Sequence, residues 1–260
     1  MRSTDMADEL FGSKNALPAG VRLATAKRGG VAVTRVEIAR EGLARPRGRY
    51  VTLEMPSVSV LDERDTAVIE ACADELRPLL PPEGAVLVLG VGSCRITADA
   101  LGPRTVQKIL VTMGPQHALP VPGIRPVAAI APGVSSSTGL TLCQLAGALT
   151  QAVQPSAVIC VDSLCSNEGT RLGRTVQFSD TGLYPAQPGH AKHLDAAALG
   201  VPVIAAGIPT VMDSGEGADL VVTPRALDSV IAHGAALLAG AINRALQPRL
   251  SVAQLCWLTG

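Results

Sequence analysis

Aromatic residues are scarce in this sequence. Phe, Tyr and Trp make up 2% of its 260 residues, whereas hydrophobic residues make up 47%. Sites that bind single-stranded nucleic acid or sugars rely on aromatic rings, so the composition argues against both. The core must be built from Val, Leu, Ile and Ala, which suits a parallel sheet covered by helices.

The chain also lacks net charge. It has 22 basic and 22 acidic residues, so no bulk field attracts nucleic acid or an anionic membrane. No C-x-x-C pair occurs among the six cysteines, which indicates reduced thiols in a cytosolic protein. Residues 1–10 are polar and acidic, and no apolar run reaches the roughly 18 residues that span a bilayer. We therefore expect a cytoplasmic protein without a signal peptide and without a nucleic-acid or membrane partner.

Short β-branched runs alternate with helical patterns from residue 85 onward, which predicts βαβ units. We expect an α/β fold: a three-layer, mostly parallel sheet with helices on both faces. Residues 1–20 read as an irregular, mobile leader, and 21–260 as one domain with a hairpin at 31–55 and a βαβ core at 85–246. The predicted core strands lie at 85–91, 126–131, 157–161, 175–178, 201–206 and 220–222, and the helices at 61–80, 104–112, 138–153 and 224–246.

Two aspartates follow apolar runs of this kind. Asp162 comes directly after the run 157–161, and Asp99 lies seven residues after the run 85–92. Ligands bind at the carboxyl ends of strands in open α/β sheets, so the two acids are expected in one site. Two carboxyl groups sharing a site cannot both ionise easily, so one can accept a proton from water while the other donates one. The alternatives are helix caps or loop supports, and a divalent metal held by the same oxygens.

Other motifs are weaker. Gly90-Val91-Gly92 follows a strand, but Arg95 stands where a dinucleotide fingerprint needs its third glycine, so a tight turn is favoured. His190 and His193 form H-x-x-H without the spacing or the Glu of a helical zinc pair, which favours solvated loop histidines. The serines at 135–137 lack the G-x-S-x-G elbow of a nucleophile and are better read as the entry to a helix.

Ordered motifs along most of the chain resemble the germination protease of spore-forming bacteria. G-R-Y-V-T-L-E, G-V-G, T-A-D-A-L-G-P, A-P-G-V, V-D-S-L and S-D-T-G-L all have counterparts in that family. The similar segments are residues 2–7, 48–54, 90–92, 97–103, 131–134, 138–139, 161–164, 179–183, 200–204, 207–211 and 222–224.

The resemblance implies a fold similar to hydrogenase-maturation endopeptidases and a homotetramer in the developing spore interior. It places the essential acids at Asp99 and Asp162 and implies no cofactor. The substrates would be small acid-soluble spore proteins, cut at acid-apolar-Ala sequences. Asp5-Met6-Ala7 is such a sequence, so we expect slow self-cleavage between Asp5 and Met6. The residues expected to contact substrate or to support the site are Gly90, Gly92, Ser93, Asp180, Thr181 and Gly182.

Two alternatives stay open at the level of sequence. One is a metal-dependent maturation-type endopeptidase in which Asp99 and Asp162 bind a divalent metal together with His190 or His193. The other is an inactive oligomeric module that binds spore proteins. It rests on departures from the family pattern, such as Ser93 in place of Asn and Ala98 in place of Pro.

Overall fold

The structure is a computed structural model that describes residues 4–12, 16–61, 65–114, 122–184, 193–213 and 221–259. The strands of this part of the chain are β1 (Val21–Arg28), β2 (Val31–Ile38), β3 (Gly48–Glu54), β4 (Val86–Gly90), β5 (Val127–Ile130), β6 (Ala157–Ser166), β7 (Thr175–Ser179), β8 (Val203–Asp213) and β9 (Val221–Val222). The helices are α1 (Ala7–Phe11), α2 (Thr66–Leu76), α3 (Leu101–Val106), α4 (Ser135–Thr138), α5 (Leu142–Val153), α6 (Ala196–Leu199), α7 (Leu227–Leu246) and α8 (Val252–Thr259).

All of these strands belong to one mixed sheet. Its order is β1-β2-β3-β7-β8-β6-β4-β5, with β9 paired to β8. The central strands β5, β4, β6 and β8 run parallel to one another. Strands β1, β2, β3 and β7 extend the sheet with antiparallel pairs, and β7 pairs antiparallel to β8. The strand ends at which ligand binding is expected are therefore those of the parallel strands.

Helices cover both faces, which confirms the predicted α/β class. On one face, α2, α3, α7 and α8 pack on the larger core cluster, which includes Val88, Ile159 and Ile204. On the other face, α5 and α6 pack over Leu87, Val158 and their neighbours, and α1 packs over β2 and β3. Among the described helices, α7 alone is long and apolar enough to cross a membrane, and 67% of its apolar window is buried inside the protein.

The β2–β3 pair is the hairpin predicted at 31–55. The start of the chain differs from its prediction. Ala7–Phe11 forms a helix rather than an irregular leader, with Ala7 and Phe11 buried, and β1 follows from Val21. Helix α1 is short and is stabilised by long-range packing against β2 and β3. No local hydrophobic periodicity therefore predicts it.

Candidate active site

The parallel strands reverse their order at the boundary between β4 and β6. The chain leaves β4, adds β5 on one side, and then returns to add β6 on the other side. A crevice opens at such a switch point, beyond the carboxyl ends of the strands, and it is where α/β sheets bind ligands. The last residues of the β4–β6 ladder are Gly90 and Val161, so Asp162 is the first residue of β6 beyond it.

Asp162 points to the face covered by α5. Side chains alternate along a strand, so Asp162 shares the orientation of Val158 and Cys160, which pack in the α5 core. There it lines a cleft of about 970 Å³. Other residues lining this cleft are Val91, Leu164, Gln177, Thr181, Gly182 and Cys143. Asp162 is half-buried there, whereas Val158 and Cys160 on the same face of β6 are fully buried.

Asp99 reaches the same end of the sheet by way of the loop after β4. It closes a short 3-10 turn, Thr97–Asp99, just before α3, and its carbonyl accepts a hydrogen bond from the Ser93 N–H at 3.1 Å. A Cβ built at Gly92, whose φ is +110°, would lie 2.1 Å from that carbonyl oxygen and 2.8 Å from Asp99 Oδ1. Only glycine allows this approach, which explains the second glycine of the G-V-G motif.

The electrostatics couple the two acids. Burial raises the pKa of Asp162 to about 7; the Ser163 N–H opposes this shift, and the charges of Asp99 and Asp5 add to it. Burial also raises the pKa of Asp99, against a smaller opposite effect of a backbone hydrogen bond with Ser93. Asp162 can therefore hold a proton near neutral pH.

The carboxyl group of Asp5 lines this cleft together with that of Asp162, whereas Asp99 is not among the residues that line it. Arg45 Nη2 lies 3.2 Å from Asp5 Oδ1, and the Cys165 N–H donates to Asp5 Oδ2 at 2.8 Å. Burial raises the pKa of Asp5, and the Cys165 N–H and Arg45 act against that shift. Sequence reasoning named Asp5 as a cleavage position and did not foresee this contact, because Arg45 and Cys165 are distant in the chain and carry no shared motif.

The expected Asp5–Met6 cleavage position is tightly held. Met6 and Ala7 are fully buried, the Asp5 carbonyl accepts from Gln177 Nε2 at 2.8 Å, and the Ala7 N–H donates to Gln177 Oε1 at 2.8 Å. Cleavage there would require residues 5–7 to lose these contacts first.

The S-D-T-G segment divides into a supporting and a lining part. Asp180 accepts from the backbone N–H of Arg49 and from Arg49 Nε, each at 2.7 Å, so its carboxylate holds the G-R-Y strand. Thr181 and Gly182 line the cleft. Gly90 and Ser93 belong to the β4 turn: a Cβ at Gly90 would lie 2.3 Å from the Gly102 carbonyl oxygen, and Ser93 Oγ accepts from the Arg95 N–H at 3.2 Å.

The residues described do not form a metal centre. No group of three His, Cys, Asp or Glu side chains in this part of the chain is arranged to hold an ion. His193 instead stacks on Tyr184, with ring centroids 4.2 Å apart. His190, a proposed ligand of the metal alternative, lies outside the described residues.

Comparison with known proteins identifies the family. A family model described as "Germination protease" matches residues 4–216. The germination protease of Clostridium perfringens SM101 is 31% identical over 85% of this chain and 86% of its own length. That of Clostridium tetani is 36% identical over 80% and 68%, and that of Priestia megaterium 34% identical over 82% and 60%. A solved [NiFe] hydrogenase maturation protease, HycI from Thermococcus kodakarensis, aligns with a TM-score of 0.37 and 16% identity, covering 65% of this chain and 98% of its own.

Fold and family model together define an α/β peptidase. The chain belongs to the germination protease family.

Proposed function

We propose that this protein is an endopeptidase that cleaves small acid-soluble spore proteins and activates water with Asp99 and Asp162. The observation that carries the proposal is the position of Asp162. It is the first residue past the β4–β6 ladder, it lines the cleft, and its pKa is raised to about 7 by burial, with the charge of Asp99 adding to the shift.

The two acids take different roles in this mechanism. Asp99 in its ionised form accepts a proton from water, and the water oxygen adds to the scissile carbonyl carbon. Protonated Asp162 donates its proton to the carbonyl oxygen. Asp99 then returns its proton to the leaving nitrogen as the C–N bond breaks, and Asp162 recovers its own. Catalysis of this kind requires that the pKa values of the two groups differ, which unequal burial achieves.

The family description, "Germination protease", supports a protein as substrate. From the resemblance we add three further proposals: preference for acid-apolar-Ala sequences, assembly as a homotetramer, and action in the interior of the developing spore. Light scattering on the purified protein tests the assembly.

The mechanism predicts that Asp99→Asn and Asp162→Asn each lower hydrolysis of an acid-soluble spore protein by orders of magnitude, because each removes one proton-transfer partner. Asp74→Asn is a matched control: Asp74 lies on α2, on the opposite face of the sheet, and pairs with Arg28 and Arg77. Retained activity in either site variant, with both proteins folded, would refute the assignment.

The same assay separates the alternatives. Loss of wild-type activity on treatment with a chelator, restored by one divalent metal, would favour the metal-dependent reading with His190. Tight binding of the spore protein without turnover would favour the inactive module.

Self-cleavage between Asp5 and Met6 is a separate proposal. The purified protein, incubated and followed by mass spectrometry, should slowly lose its first five residues, and Asp162→Asn should not. An unchanged mass in the wild type would contradict it.

A further inference from the structure

We infer that Thr210 is a positioning residue of the proposed active site: its buried hydroxyl holds the turn that carries Asp99 against the sheet. The effect on catalysis rests on the proposed function, which assigns a proton transfer to Asp99. The contact between Thr210 and the turn is independent of any activity.

Asp99 stands on a turn rather than on a strand, so its position depends on how that turn is held. The backbone hydrogen bonds of the turn are local. The Asp99 N–H donates to the Ile96 carbonyl at 2.9 Å, and the Asp99 carbonyl accepts from the Ser93 N–H at 3.1 Å. These bonds fix the shape of residues 93–99, but they do not fix where that segment lies on the sheet.

The outer part of the same loop has little cover from the rest of the protein. Residues 94–97 are exposed, and Ile96 is 61% exposed. Full burial returns only at Ala100 and Leu101, where α3 begins. Ala98 and Asp99 are half-buried between these two parts, so a directed bond at this point has a large share in placing them.

Thr210 provides such a bond from β8. Its hydroxyl donates to the Ala98 carbonyl at 2.9 Å, across 112 residues of chain, and Thr210 is fully buried. Among the described residues, it is the one side chain from outside the loop that hydrogen-bonds to residues 97–99. The Ala98 carbonyl belongs to the planar peptide group that continues to the Asp99 Cα. Holding this oxygen therefore orients the backbone from which the Asp99 carboxyl group projects.

Strand β8 has an irregular register at this residue. Leu164 of β6 pairs with Pro209, and Cys165 pairs with Val211, so Thr210 is the residue that the pairing skips. An extra residue of this kind forms a β-bulge, which bends a strand and redirects a side chain, and such bulges are frequent beside active sites. The bulge thus falls at the one residue of β8 whose side chain reaches the Asp99 turn by a hydrogen bond.

The test removes the hydroxyl and keeps the shape of the side chain. Thr210→Val leaves the Ala98 carbonyl without this donor, whereas Thr210→Ser keeps the donor and removes a methyl group. Thr175→Val is the matched control. Thr175 is also buried on a strand of the sheet, β7, at 1% exposure, and its hydroxyl has no hydrogen-bond partner among the described residues.

For the wild-type chain and the three variants we would measure thermal unfolding, hydrogen exchange at the Ser93 and Asp99 amides, and kcat and KM on an acid-soluble spore protein. We expect Thr210→Val to speed exchange at both amides and to lower kcat by about 10-fold at a temperature where it is fully folded, with KM nearly unchanged. Thr210→Ser should restore most of both properties, and Thr175→Val should match the wild type in both.

Three outcomes would overturn the inference. Unchanged exchange at Ser93 and Asp99 in Thr210→Val would mean that the hydroxyl does not hold the turn. A lower melting temperature with unchanged kcat per folded molecule would leave Thr210 a purely structural role. Equal losses of kcat in Thr210→Val and Thr175→Val would assign the effect to the loss of any buried hydroxyl. A wild-type chain that cleaves nothing refutes the proposed function instead, and the exchange data still judge the contact.

Discussion

At the scale of single residues, three aspartates with the same chemistry meet three environments. Burial raises the pKa of each of them, but the opposing contacts differ. Arg45 lowers the pKa of Asp5, against the effect of burial. The pKa of Asp162 is lowered only by the Ser163 N–H, and the charges of Asp99 and Asp5 raise it further. Asp162 is thus the acid best suited to keep a proton near neutral pH.

Asp162 makes folding stability depend on pH. Its pKa rises from 3.8 in the unfolded chain to about 7 in the fold, so the folded state binds the proton more tightly and stability is lost as pH rises from about 4 to about 7. Asp162→Asn removes this loss. We expect the variant to be more stable than the wild type at pH 8, by on the order of 2–4 kcal/mol, and the difference to vanish near pH 4.

Urea denaturation at the two pH values measures this difference. A wild type that is at least as stable as the variant at pH 8 would show that the Asp162 carboxylate is not disfavoured by its surroundings. In that case Asp162→Asn would lower activity without making the protein more stable than the wild type at pH 8. The acid role proposed for Asp162 would then be wrong.

At the scale of elements, periodicity predicted the strands from β2 onward, missed β1, and predicted the helix ends poorly. The predicted strand 157–161 is the first half of β6, which continues to Ser166 along β8. The helix predicted at about 104–112, with Pro103 in its first turn, lies at Leu101–Val106, because Gly102 also belongs to it and it ends earlier than predicted. A glycine at that position looks like a helix breaker in sequence, and its reason is found only in the packing.

Gly102 sits where α3 meets the ends of β4 and β6. A Cβ there would lie 2.3 Å from the Val91 carbonyl oxygen and 2.4 Å from that of Val161, both rigid backbone atoms. We expect Gly102→Ala to destabilise the fold by about 1–3 kcal/mol, because α3 must move away from the strands. Asp99 precedes α3, so activity should fall as well.

Gly147→Ala is the matched control for this prediction. Gly147 lies within α5 and has no atom within 4 Å of a built Cβ, so the alanine should stabilise the helix by about 0.5–1 kcal/mol. Chemical denaturation of both variants measures whether each substitution raises or lowers the free energy of unfolding. Equal effects would mean that the helix–strand contact at Gly102 is looser than described.

At the scale of the whole molecule, the sequence allowed the α/β class to be predicted and Asp99 and Asp162 to be expected at one end of the sheet, because strand ends are visible in the apolar runs. It did not reveal that the N-terminal segment completes this end of the sheet. Asp5 contacts Arg45 and Cys165, which lie 40 and 160 residues away, and no local pattern encodes such a contact. Long-range pairing is the part of a fold that periodicity leaves undetermined.

The packing of the whole molecule also decides whether α7 is a core helix or a membrane-spanning one. By length and composition this helix could cross a membrane, yet it packs on α2 and α3 within the larger core. Leu238 on α7 is fully buried, whereas Leu258 on α8 is 47% exposed. If α7 is the central helix of its layer, Leu238→Ala should destabilise the protein by about 2–5 kcal/mol, through lost burial and a cavity. Leu258→Ala should cost less than about 1 kcal/mol. Urea denaturation of the two variants in detergent-free buffer compares them directly, and equal, small losses would mean that α7 does not depend on this core for its burial.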